Sequence, residues 1–145
     1  MTYKQIKLAV QRILQSHAMI KKVVFNTPNE WIFREESPDF PLCCFSMNAG
    51  GLEPGYKSFD LQIWFLDRAG VDGEFEVDVV SDQLEIANDI AALLKQSWVN
   101  DWLIDGDFVF EVLLEKFEDF LAGVKISATL KTVNNYDTCV IPANS

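Results

Sequence analysis

The stretch of this sequence closest to a chemical motif is Gly50-Gly51-Leu52-Glu53-Pro54-Gly55-Tyr56-Lys57-Ser58, which follows an apolar run and spaces Gly50 and Gly55 as a phosphate loop would. In a phosphate loop a helix follows the lysine, because the helix N-terminus holds the anion. Here Tyr56 separates Gly55 from Lys57, and strand-like alternation follows. The segment therefore reads as a mobile hairpin loop over residues 48–56.

His17 is the only histidine. It ends a helical stretch, where a cation interacts well with the helix dipole. A metal site would need Cys or His partners at ligand spacing, and none is present. No Ser-His-acid or Cys-His arrangement can be built around it. Asp101, Asp105 and Asp107 gather around Gly106, but a calcium loop needs a denser oxygen array closed by a glutamate. They read as turn chemistry, and a metal-dependent enzyme built on them is a third-ranked reading. Asp72, Glu74, Glu76 and Asp78 alternate just ahead of a helical stretch, whose N-terminus favours negative charge. The residues thus predict no catalytic group, no metal and no cofactor.

The elements that would carry any site come next. The chain has 145 residues, of which 49% are hydrophobic and 23% charged, which fits one globular domain over 1–145 with a real core. Twelve Lys and Arg stand against 22 Asp and Glu, a formal charge of −10. That balance argues against a surface that grips nucleic acid or an anionic membrane. The nearest basic cluster is Lys21-Lys22, with Lys4, Lys7 and Arg12 ahead of it; it reads as a solvated helix face and the start of a strand. Cys43, Cys44 and Cys139 cannot all pair within the chain, and neighbouring Cys43 and Cys44 point to opposite sides of a strand. Buried thiols in a reducing compartment are expected. The opening residues show no apolar leader segment, and no apolar run approaches the ~18 residues of a membrane span.

Apolar Ile6, Ala9, Val10, Ile13 and Leu14 predict a helix from Thr2 to Ser16, capped by Thr2. Strands are predicted over 22–25, 30–34 and 42–47, the last apolar enough to be buried on both faces. A strand over 57–67 places Phe59, Leu61, Ile63 and Phe65 on one face, and pairs with 42–47 across the glycine-rich loop. A second helix runs from Asp78 or Ser81, either of which can cap it, to Gln96. Strands over 98–104, 108–117 and 124–133 follow, with Asp105-Gly106 as a tight turn and a loosely ordered tail from residue 134. The predicted fold class is α+β, a mainly antiparallel sheet with two principal helices on one face. Bulky side chains on both faces of the strands, notably Trp64, Leu66 and Leu113, exceed what a two-layer domain buries and predict a subunit interface.

The opening helix Tyr3 to Ser16, the strand Phe59-Asp60-Leu61-Gln62-Ile63-Trp64-Phe65, the helix from Ser81 to Lys95 and the closing run Phe120 to Leu130 together resemble the tail-terminator and head-to-tail completion proteins of tailed bacteriophages. The likeness covers most of the chain and lies in size, element order and texture. It implies a non-enzymatic virion protein assembled in the host cytoplasm: a homo-oligomeric ring, sixfold by expectation, at the top of a tail or within a neck. It also implies a neighbouring tail-tube or connector protein as partner. DNA would pass through the ring without specific binding, and no membrane would be involved. The expected contact residues are Ala49, Gly50, Gly51, Leu52, Glu53, Pro54, Gly55, Tyr56, Trp64, Trp98 and Trp102. The competing expectation is a cytosolic adaptor module that holds a protein or small ligand in an apolar pocket.

Overall fold

Thr2 and Gln5 start the first helix. The Thr2 hydroxyl accepts from the Gln5 amide at 3.2 Å, and the Thr2 amide donates back to Gln5 Oε1 at 2.8 Å. This capping box opens α1 (Tyr3–Gln15), whose buried stripe is Ile6, Val10 and Leu14. The computed structural model describes residues 1–28, 39–70, 74–96, 101–116 and 121–134.

The second helix, α2 (Glu76–Leu94), starts earlier than its candidate caps imply. Phe75 occupies the N-cap position and makes no side-chain cap bond, while Glu76 and Asp78 lie in the first turn. Charge near the dipole thus takes the place of a hydroxyl or carboxylate cap. Val79, Gln83, Ile86, Ala87, Ile90 and Leu94 form its buried side.

Among the described residues six strands make one sheet: β1 (Lys22–Phe25), β2 (Leu42–Ser46), β3 (Gly50–Glu53), β4 (Gly55–Arg68), β5 (Leu103–Lys116) and β6 (Leu121–Asn134). Their order is β1-β2-β4-β6-β5, with β3 beside the first part of β4. Among the described residues only the β1–β2 pairing is parallel. The fold is therefore α+β with a mainly antiparallel sheet. The β2–β4 pairing expected across the glycine-rich segment is present, with Cys43 opposite Phe65 and Phe45 opposite Ile63. As its unbroken apolar run requires, β2 is buried along its whole length.

Both helices cover one face of the sheet. Phe45, Leu61, Ile63, Phe65, Val124 and Ile126 meet Ile6, Val10, Leu14, Ile86 and Ile90 in the main core. Each such side chain contributes ~1.5–3 kcal/mol by leaving water.

Four expectations are corrected. First, residues 50–53 are a paired strand, because Gly50 lets two backbones close up where a loop was expected. A Cβ on Gly50 would lie 1.9 Å from the Ser58 carbonyl oxygen. Second, Asp105-Gly106 does not end a strand. Leu103–Lys116 is one strand with a register shift between Asp105 and Val109, and Gly106 takes φ +76° within it. The left-handed glycine that suits a tight turn suits a β-bulge equally. Third, Asp101 and Trp102 precede β5 as a bend rather than joining it. Fourth, Leu66 and Leu113 are not surplus apolar surface: with Leu42, Cys44 and Leu121 they form a second buried cluster on the other face. The strand expected at 30–34, Trp98, Cys139 and the tail beyond residue 134 lie outside the described residues.

Candidate functional site

The glycine-rich segment is an arm rather than a loop. The Asp60 amide donates to the Ala49 carbonyl at 2.8 Å, and the Gly51 amide donates to Ser58 Oγ at 3.0 Å. Glu53 stands opposite Tyr56 at the closed end, where Pro54 is exposed and Gly55 takes φ +98°. Leu52 points into solvent at 75% exposure. No helix N-terminus follows Lys57, so the arrangement that holds a phosphate is not formed.

Tyr56 organises the end of the sheet beside this arm. Its hydroxyl donates to the Glu53 carboxylate, which pushes the phenol pKa up. Lys131 lies over its ring, 4.4 Å from the centroid, and reaches Asp105 at 3.1 Å. That bond to Asp105 raises the Lys131 pKa. A concavity of about 350 Å³ joins Tyr56 to Trp102, Leu103 and Val133. Three of the expected contact residues, Gly55, Tyr56 and Trp102, thus line one concavity. Trp102, however, is only 4% exposed and donates from Nε1 to the Leu94 carbonyl at 3.0 Å. It anchors the end of α2 and offers little surface. Trp64 sits further along the sheet, half-buried, with Lys125 5.4 Å above its ring.

The residues with chemical character are occupied by neighbours. His17 Nδ1 accepts from the Met19 amide at 3.1 Å, which puts the ring proton on Nε2, and Nε2 donates to Asp89 at 2.9 Å. His17 therefore ties the end of α1 to α2. Asp107 pairs with Lys95 at 2.8 Å, and this bond lowers its carboxyl pKa. Cys43 and Cys44 are buried on opposite faces of β2, and burial pushes the Cys43 thiol well up, away from a reactive thiolate. Among the described residues no three His, Cys, Asp or Glu side chains stand close enough to hold a metal ion. No helix among them is long and apolar enough to cross a membrane.

No protein-family model and no curated protein sequence matches this chain.

The surface that sequence reasoning missed lies at the β5 edge. Among the described residues β5 pairs only with β6. Phe110 stands opposite Ile126 and Val112 opposite Val124, so both face the helices. Yet Phe110 is 55% and Val112 42% exposed, because α2 covers β6 more fully than β5. A groove of about 340 Å³ runs between Leu84, Ala87 and Ala91 of α2 and Phe108 and Phe110 of β5. On the other side of the strand Val109 is also exposed. The signal was present in Phe108-Val109-Phe110-Glu111-Val112-Leu113-Leu114, an apolar run on both faces of a strand.

Proposed function

We propose that this chain is a non-enzymatic structural subunit that closes into a ring with copies of itself. In the fullest form of the reading it is a tail terminator or head-to-tail connector joining the head and tail of a phage particle, next to a tail-tube or connector protein. The observation that carries the proposal is the exposed apolar edge of β5. A long edge strand with Phe110, Val112 and Val109 open to water is a pairing and aggregation liability unless something covers it. Core formation does not explain these side chains, since the main core closes without them. The tied-up state of His17, Asp105 and Asp107 supports a role in assembly over one in chemistry. The α+β architecture is the one the element pattern predicts, and folds of this kind serve many functions.

The formal charge of −10 suits a ring through which DNA passes, because like charge lets the polyanion slide without sticking. Light scattering on a sizing column, followed by negative-stain microscopy, tests the reading. A discrete closed particle with a central hole is expected. A strict monomer at high protein concentration and low salt overturns the ring and leaves the adaptor reading, which titration of the α2–β5 groove with apolar ligands would then examine.

A further inference from the structure

Charge is not spread evenly over this molecule. Residues 1–28 contain five Lys and Arg and no Asp or Glu. They build α1 and β1, at one end of the sheet. Towards the other end, α2 carries five acidic and no basic residues, and β5 four acidic residues and one lysine; of these acids Asp89 is bonded to His17, Asp105 to Lys131 and Asp107 to Lys95. In a chain with a formal charge of −10, every Lys, Arg, Asp and Glu of residues 1–28 is thus a basic one.

Both ends also expose apolar side chains. At the basic end Met19 is 56% and Phe25 37% exposed, with the Tyr3 ring edge-on to Phe25 and Leu8 exposed on α1. Lys7 lies over the Phe25 ring, 5.3 Å from its centroid, so charge and apolar surface are interleaved there. At the acidic end Glu85 borders the groove that also holds Phe110. Two unlike patches, each apolar and of opposite charge, cannot satisfy a two-fold contact of like with like. They suit a head-to-tail contact, which generates a ring when its rotation closes.

Strand direction agrees with this. β1 runs parallel to β2, β2 antiparallel to β4, β4 to β6, and β6 to β5. β1 and β5 therefore run in opposite senses. A second copy turned about an axis along the strands would bring its β1 beside β5 in the antiparallel sense, with the helices of both copies on the same side.

Building on the ring reading, we infer that the occupant of the α2–β5 groove is the α1–β1 end of a second copy of this chain. Complementary charge brings the ends together and sets the register, while Phe25 and Phe110 supply apolar contact.

A charge-swap pair tests it. Lys4→Glu/Lys7→Glu/Lys22→Glu turns the five positive charges of residues 1–28 into a net −1, and Glu76→Lys/Asp78→Lys/Asp82→Lys/Glu85→Lys/Glu111→Lys turns the net −8 of α2 and β5 into +2. Circular dichroism of each establishes that the fold is kept. Alone, each variant should self-associate more than about tenfold more weakly than the parent chain. An equimolar mixture should assemble again, because every contact is then between opposite charges. Parent assembly should weaken as salt rises. If the parent forms rings and both variants do so equally well, or the mixture stays dissociated, this inference fails and the ring reading stands. If either variant alone still forms dimers, the contact is two-fold and the inference also fails. A parent chain that is strictly monomeric removes the ring reading itself.

Discussion

The centre of the sheet and its β5 edge are built from similar residues but behave differently. The β4–β6 ladder runs without a register shift from Gly55 opposite Asn134 to Arg68 opposite Leu121. Its apolar side chains, such as Phe65 and Val124, are fully buried. The β5–β6 ladder is shifted twice, between Asp105 and Val109 and again between Leu113 and Lys116. Its Phe110 and Val112 are largely open. The comparison teaches that alternation marks which side chains share a face, while position in the sheet decides whether that face is covered.

Substitutions can break this contrast at its strong side first. Phe65→Ala removes a side chain 1% exposed in the main core. It should cost about 3–5 kcal/mol, read as a fall in the denaturant midpoint; a loss below ~1 kcal/mol would show that the centre is not the stable part. Gly123→Ala comes next. A Cβ there would sit 1.8 Å from the Phe65 carbonyl oxygen, so β4 and β6 would be forced apart. A cost of about 2–3 kcal/mol in thermal or denaturant unfolding is expected.

The weak side should respond in the opposite way. Phe110→Ser/Val112→Ser replaces exposed side chains, so monomer stability should stay within roughly 1 kcal/mol. Self-association measured by light scattering should fall instead. A large loss of stability with assembly intact would mean that this edge belongs to the core.

The smallest effect is a titration. Lys95 holds the Asp107 carboxyl below its ordinary range. Its folded pKa is depressed, so the pairing contributes stability above the unfolded carboxylate pKa and loses it as pH falls through the folded value. Both groups are solvent-exposed, which keeps the contribution small. Carboxyl NMR should show Asp107 returning upward in Lys95→Gln, with little change in unfolding temperature.

Much of the fold was legible where local and long-range preferences agree. Thr2, Gln5 and the Ile6-Val10-Leu14 stripe specify α1 at every level, and the apolar run of β2 placed it inside the sheet. Legibility failed where one residue type serves two geometries. Gly106 suits a hairpin turn and a bulge alike, so one strand read as two. Gly50 suits a loop, but also a close backbone approach. The start of α2 was misplaced because Asp78 and Ser81 are good caps, yet burial of Val79 and the Phe75 amide bond to the Ala69 carbonyl carry the helix back to Glu76. The candidate site was legible only in part. Tyr56 and Trp102 do converge, but whether Phe110 is core or surface depends on the distance between α2 and β5, which no local pattern encodes.

The bulge at Gly106 has a consequence for what the β5 edge can pair with. A flush row of free amides and carbonyls along β5 would recruit any extended chain, including misfolded copies, into fibrous stacks. A bulge lets the strand twist away and puts three residues, Gly106, Asp107 and Phe108, where the partner strand has only Ala128. Where the bulge interrupts it, the edge offers no continuous ladder to a straight incoming strand.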